Sequence, residues 1–179
     1  MTDRTDDPAR PAPRGYRPCV GAMVLNRSGR VWVGLRSDNA EHIGTTRRWQ
    51  MPQGGIDPGE DPRAAVLREL YEETSITSVA VLAETANWLR YDLPVDLVGV
   101  ALNGRYLGQK QKWFLLDFLG SDDEIDIARP ADGAHEVEFD AWKWAEVERL
   151  TELIVPFKLA VYQEVVREFA PLIEARRRA

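Results

Sequence analysis

Apolar residues in this chain fall into short Val-rich or aromatic runs separated by polar turns, and helical spacing shows at two places. "CVGAMVLN" (19–26) and "RVWVGLR" (30–36) flank the polar "NRSGR", a pattern that predicts a β-hairpin. "SVAVLAET" (78–85), "NWLRYDLP" (87–94) and "KWFLLDFLG" (112–120) read as further strands, with "NGRYLGQKQ" a loop or strand end before the last. "EVEFDAWKW" (136–144) alternates Val137, Phe139 and Ala141 against polar neighbours until Trp142 and Trp144 shift the phase. "SDNAEHIGTTRR" (37–48) has no period and is expected as an exposed loop.

Helical spacing appears first after Asp61-Pro62, a capping side chain followed by a proline whose missing N–H is harmless in a first turn. Over "PRAAVLRELYEET", Ala64, Leu67, Leu70 and Tyr71 share one broad side. The second helix spans 156 to about 176, with Phe157, Val161, Val165 and Phe169 at helical spacing and Pro171 expected to kink or split it. Strands surrounding one mid-chain helix, closed by another, predict a mixed α/β domain.

Residues 1–15 hold charge, Pro and Gly with almost nothing to bury, so a disordered tail precedes one domain over 16–179. A chain of 179 residues, 44% hydrophobic and 29% charged, suits one soluble domain with a real core. Net charge of −6 and a pI near 5.1 give no global pull toward DNA or an anionic membrane. The single cysteine, Cys19, excludes an internal disulfide, and no run reaches membrane-spanning length, so the cytoplasm is the expected location.

Chemistry concentrates in "GGIDPGEDPRAAVLRELYEETSI" (54–76). Glu69, Glu72 and Glu73 fall within an arc of roughly 100° on the helix side opposite the apolar residues. Arg68 can neutralise part of Glu72, whereas Glu69 and Glu73 have no basic residue at helical spacing of their own. Such a like-charge pair costs about 0.2–0.5 kcal/mol when exposed. A bare glutamate cluster is most simply a solvated helix face. Here, however, a glycine-rich turn delivers Glu60 to the start of the same helix and lets a backbone carbonyl face it. Hard oxygen ligands converging on one point suit Mg²⁺ or Mn²⁺.

This stretch resembles the signature of the Nudix hydrolases at Gly54, Glu60, Arg68, Glu69, Leu70, Glu72, Glu73 and Ile76. Ser75 departs from it, standing where the family carries glycine, and a serine there is expected to strain or shift the helix end. "GYRPCVGAMVLN", "WQMPQGGIDPGEDPR", "NWLRYDLP", "GQKQKWFLL" and "PFKLAVYQEV" extend the resemblance to the bacterial RNA pyrophosphohydrolase branch, also described as (di)nucleoside polyphosphate hydrolases. The fold implied is an α/β/α sandwich with a mixed β-sheet.

The resemblance implies Glu69 and Glu73 as principal metal ligands, with Glu72 sharing and a carbonyl near Gly54 contributing, and more than one ion when substrate is bound. Arg68 and Glu60 are expected to orient that ligand set. Glu124 aligns with a further family carboxylate, ligand or general base; read alone, it belongs to the acidic stretch "SDDEIDI". Arg17 and Arg36 are expected to meet phosphates, Tyr91 to line the nucleotide path, and Phe157 with Lys158 to stack on a base and hold phosphate. Read singly, these are a core anchor and solvated charges. Trp49 is the tryptophan expected closest to the pocket. His42 and His135 are expected in exposed loops, and Arg176–Arg178 to complement the helix dipole.

Three functions compete. The favoured one is Mg²⁺-dependent removal of pyrophosphate from a 5′-triphosphorylated RNA end. The second is asymmetric cleavage of dinucleoside polyphosphates such as diadenosine tetraphosphate. The third, a nucleotide-binding module without turnover, ranks low because all three box glutamates are present.

Overall fold

The computed structural model describes residues 15–37 and 45–178. Residues 1–14 of the proposed tail and His42 lie outside the described residues, as does most of the 37–48 loop. One eight-stranded mixed sheet runs β3-β2-β1-β7-β5, with β4 beside β1, β6 beside β7 and β8 beside β2. Its strands are β1 (Tyr16–Leu25), β2 (Val31–Arg36), β3 (Trp49–Gln50), β4 (Gln53–Gly55), β5 (Val79–Glu84), β6 (Leu89–Asp92), β7 (Gly108–Phe118) and β8 (Phe139–Ala145). The long central pair β1 and β7 is parallel, and the other pairings are antiparallel.

The turn after β1 forms as its sequence dictates: Asn26 accepts from the backbone N–H of Ser28 and Arg30, and Gly29 takes a left-handed φ of 71°. The expected hairpin is nevertheless not a ladder. Only Leu25 and Val31 are registered as partners before β2 leaves to pair with β8 and β3. β1 instead spends its length on β7, because Val20, Ala22 and Val24 on one face and Met23 and Leu25 on the other need covering on both sides of the sheet. The "GQKQ" segment, read as a loop or strand end, is strand: β7 begins at Gly108, where β6 pairs with it.

Each face of the sheet carries one helix. Helix α1 (Pro62–Thr74) covers Val20, Ala22, Val24, Phe114, Leu116 and Phe118. Helix α4 (Leu159–Arg178) lays Val161, Val165, Phe169 and Ile173 over Met23, Trp113 and Leu115. Pro171 does not split α4, which runs unbroken from Leu159 to Arg178, and it sits on the exposed side of the helix. Short helices α2 (Pro130–Gly133) and α3 (Leu150–Leu153) complete the chain. No described helix is long and apolar enough to cross a membrane.

The apolar face of α1 differs from the expected one. Its buried residues are Ala65, Val66, Leu70, Glu73 and Thr74, while Ala64 and Leu67 are exposed and Tyr71 is half-buried. The helix is rotated so that Glu73 turns inward, a burial no hydrophobic stripe would choose and one that only a polar cavity beneath can accommodate.

The basic end of α4 is a set of ties. Arg176 pairs with Asp117 at 2.7 Å and Arg177 with Glu148 at 2.8 Å, which fastens the helix end to β7 and to the turn after β8.

Candidate active site

Helix α1 starts as its sequence predicts: Asp61 accepts from the N–H of Arg63 and Ala64 at 2.9 and 3.2 Å, with Pro62 in the first turn. The glycine-rich turn before it returns the chain from β4, whose Gly54 and Gly55 pair with Val20 and Cys19 of β1. Gly54 is required there by space. A Cβ at that position would fall inside the carboxylate of Glu69.

Arg68 is the hub. It grips Glu60 with two bonds of 2.8 Å, reaches Glu69 at 3.0 Å and Glu72 at 3.2 Å, and donates to the Gly55 carbonyl at 2.9 Å. The planar fork suits such bidentate geometry, which a lysine cannot reproduce. Glu60 also accepts from the Asp57 N–H at 2.9 Å, and the Arg68 guanidinium holds the Glu60 carboxyl down at about 2. The pair expected to orient the ligands thus binds the glycine turn to the helix.

Burial pushes the Glu69 carboxyl above its ordinary range, with Arg68 opposing. Burial pushes Glu73 up much further, and the facing Glu138 adds to it; the Gln53 N–H, 3.2 Å away, opposes. A carboxyl kept from water beside two other carboxylates is at home only when a proton or a cation joins it.

These glutamates wall a polar pocket of about 210 Å³. Its lining mixes three carboxylates, Glu69, Glu73 and Glu138, with three cations, Arg17, Arg36 and Lys158, and Gln50, Gln53 and Gln109 add amides. A neighbouring pocket of about 230 Å³ shares Glu69, Glu73 and Glu138 and adds Glu72, His135 and Glu136. Opposite charges flanking one cavity match a metal–phosphate complex: carboxylates for the cation, guanidinium and ammonium groups for the phosphate oxygens. Among the described residues, no three His, Cys, Asp or Glu side chains stand ready as a cation cage. Arg68 pairs with one oxygen each of Glu69 and Glu72, and Arg36 with one oxygen of Glu138.

The remaining predicted residues divide. Arg17 and Arg36 both line the pocket. Lys158 is buried, with Nζ 5.5 Å from the Tyr91 ring, 5.7 Å from the Phe157 ring and 3.5 Å from Gln50 Oε1. Tyr91 and Phe157 meet at 5.6 Å between centroids, so the aromatic pair and the lysine form one unit at the pocket's edge. Trp49 lies under Lys143, 4.0 Å from its ammonium, and is not among the pocket walls. His135 is exposed as expected, with Nε2 3.8 Å from Glu72.

Glu124 is the residue the structure does not bring in. Its Oε1 accepts from the Thr77 and Ser78 N–H groups at 2.7 and 2.8 Å, closing the chain after α1, and it lines neither pocket. Desolvation pushes its carboxyl up, but the Thr77 and Ser78 bonds outweigh that and hold it below the usual range. Glu138, which sequence reasoning did not single out, lines both pockets instead. The sequence signal was the acidic residue directly before Phe139. What brings it to the site is the long-range register in which Arg36 faces Phe139.

Glutamines form a further layer that sequence reasoning missed. Gln111 donates to Gln109 at 2.8 Å and to Gln53 at 3.3 Å, and accepts from the buried Trp113 indole at 2.9 Å. Below them the Tyr162 hydroxyl accepts from the Met51 N–H at 2.8 Å, fixing the link from β3 to β4.

The family model of the NUDIX domain matches residues 15–166. A curated RNA pyrophosphohydrolase of Azorhizobium caulinodans is 55% identical over 154 residues, covering 86% of this chain and 92% of the relative. One from Mesorhizobium japonicum is 56% identical over 159 residues, covering 88% and 91%. Among solved structures, the E. coli dihydroneopterin triphosphate pyrophosphohydrolase aligns with TM-score 0.62 at 17% identity, over 86% of this chain and 97% of that one. A C. elegans Ap4A hydrolase binary complex aligns with TM-score 0.58 at 20% identity, over 87% and 98%. The structural likenesses concern the fold alone.

Proposed function

The chain belongs to the NUDIX family, and on that premise we propose that it is a divalent-metal-dependent pyrophosphohydrolase that removes pyrophosphate from the 5′-triphosphate end of RNA, leaving a 5′-monophosphate. The observation that carries this reading is a single pocket lined both by the carboxylates Glu69, Glu73 and Glu138 and by the cations Arg17, Arg36 and Lys158. Identity above one half to relatives bearing that activity in their names supports the choice of substrate.

Glu69, Glu73 and Glu138, with Glu72 beside them, would hold Mg²⁺ or Mn²⁺, together with the Gly54 carbonyl. The donor set is hard oxygen throughout, and the missing side chain of Gly54 lets the Glu69 carboxylate close onto β4 beside that carbonyl. Bound divalent ions supply charge neutralisation on phosphoryl oxygens and a more acidic water. The chain's own residues do the rest. Arg68 and Glu60 keep the helix and the glycine turn in register, Arg17 and Arg36 meet non-bridging oxygens, and Lys158 with Phe157 and Tyr91 receives the first nucleotide.

The acidic net charge is compatible with this reading, because a single RNA end needs only a small cationic pocket plus metal. The test is a side-by-side rate comparison with Mg²⁺ on 5′-triphosphorylated RNA, diadenosine tetraphosphate and a nucleoside triphosphate. The RNA end is expected to be turned over with the highest kcat/KM. Preference for the dinucleotide would transfer the assignment to dinucleoside polyphosphates, and absence of any turnover would leave a binding module.

A further inference from the structure

The register of β1, β6 and β7 sorts their side chains to opposite faces of the sheet. Arg17, Gln109 and Tyr91 are mutual neighbours on the pocket side: Arg17 pairs with Gln109, and Gln109 with Tyr91. The next row alternates outward. Arg90 is paired with Lys110, Pro18 lies opposite Lys110 on the other flank, and Trp88 precedes β6 on the same side as Arg90. Arg90 and Lys110 are exposed, and Trp88 keeps 42% of its surface in water. β6 has no second partner strand among the described residues.

These outward residues are arranged against one another. The Arg90 guanidinium sits 5.1 Å from the Tyr16 ring centre, and the Lys110 ammonium 5.5 Å from that of Trp88. Tyr16 is fixed by donating its hydroxyl to Asp92 at 2.6 Å. Nothing in the pocket's chemistry uses Trp88, Arg90 or Lys110. A large exposed indole next to two cations is unexpected on the surface of a protein with net charge −6.

We propose that this outer face of β6 and β7 binds the single-stranded RNA that continues from the 5′ end held in the pocket, with bases stacking on Trp88 and Tyr16 and phosphates meeting Arg90 and Lys110. The proposal rests on the RNA reading given above. Two features favour RNA as the occupant. Aromatic rings interleaved with cations match the alternation of base and phosphate along a single strand. The face also lies one residue from the pocket row in both strands, since Arg90 precedes Tyr91 and Lys110 follows Gln109, so RNA leaving the pocket would reach it by rounding the β6 edge. The Lys110 ammonium, exposed on a flexible stem, can leave the Trp88 ring to a base and turn to a phosphate.

The test uses two substitutions outside the pocket, Trp88→Ala and the double variant Arg90→Ala/Lys110→Ala. Anisotropy of a labelled 5′-hydroxyl RNA of about twelve nucleotides reads the face without the triphosphate. Each variant is expected to bind about tenfold more weakly than the wild type. The double variant should also lower the slope of log affinity against log salt by about 1.4, the share of two phosphate contacts on a single strand. In turnover, KM for a triphosphorylated RNA of that length should rise about tenfold, with kcat and the KM for a substrate of about three nucleotides unchanged. Unchanged anisotropy in both variants overturns the proposal and leaves the face to a protein partner. An equal loss on short and long substrates also overturns it, by marking a disturbance of the pocket. Wild-type protein that binds the 5′-hydroxyl strand through this face yet hydrolyses no RNA end sinks the substrate reading and keeps this one. Turnover of RNA ends with unaltered strand binding in the variants does the reverse.

Discussion

The carboxylate of Glu69 lies in the space a side chain at Gly54 would occupy, so the glycine of β4 and the glutamate of α1 are a single fitted pair. This contact, between residues fifteen apart in the chain, sets how closely the helix approaches the strand that carries the Gly54 carbonyl.

Gly54→Ala therefore displaces Glu69 or the end of β4. A misplacement of about 1 Å in a reacting assembly costs about 10²-fold. We expect kcat to fall by about that factor, with circular dichroism unchanged and stability lowered by about 1–3 kcal/mol from overpacking. Steady-state kinetics beside thermal unfolding checks both parts.

Arg68 and Glu60 give a pH signature. Glu60 stands at about 2 in the folded chain against an ordinary 4.5, so its proton binding favours the unfolded state. The stability it contributes is complete above about pH 4.5 and is lost as pH falls toward 2. Glu60→Gln should flatten that part of the acid-unfolding profile. Arg68→Lys keeps the charge but loses the fork, and activity should drop about 10–100-fold, as for other residues that orient metal ligands.

Glu124 caps the chain after α1 while Glu138 lines the pocket, so the two carboxylates should respond differently to substitution. Glu124→Gln should retain near wild-type turnover while losing about 1–3 kcal/mol of stability, because the Thr77 and Ser78 amides lose a charged acceptor. Glu138→Gln should do the opposite, with activity reduced by at least about 10²-fold and the fold intact. Parallel rates and denaturation midpoints on the two variants separate them.

Ser75 takes the left-handed conformation expected of the glycine it replaces, with φ 65°, and its N–H caps Tyr71 as a regular helix end would. Its hydroxyl accepts from the Ala131 N–H at 3.0 Å and approaches the Asp126 carbonyl at 3.3 Å. The strain of about 1–2 kcal/mol is thus offset by ties to the 126–131 segment. Ser75→Ala keeps the strain and loses the ties, and should destabilise by about 1 kcal/mol, whereas Ser75→Gly should be near neutral. Chemical denaturation of both variants decides this.

Local chemistry was legible in the chain. Asp61-Pro62 starts α1, the glycine turn delivers Glu60, and Arg68 takes both Glu60 and Glu72 at the spacing read from the helix period. Long-range register was not. Glu138 reaches the site only because β8 pairs with β2, and β2 was expected to pair along β1. The inward rotation of α1 escaped for a related reason: Glu73 is buried against a polar cavity, so hydrophobic periodicity points away from the functional side. The amide ladder of Gln53, Gln109 and Gln111 carries no signal before β4 and β7 are seen to lie on either side of β1.

The central claim is that the buried acid of Glu73 awaits a divalent cation, and metal-linked stability tests it most directly. Without metal, burial raises the Glu73 carboxyl, so its stabilising effect is present below about pH 4.5 and is lost as pH rises through its folded value. At neutral pH, metal-free Glu73→Gln should therefore unfold at a higher temperature than the wild type. Titrating Mn²⁺ with a non-hydrolysable nucleoside triphosphate should then raise the wild-type Tm progressively and leave the variant nearly unmoved. Equal responses of the two proteins to the metal would contradict the account.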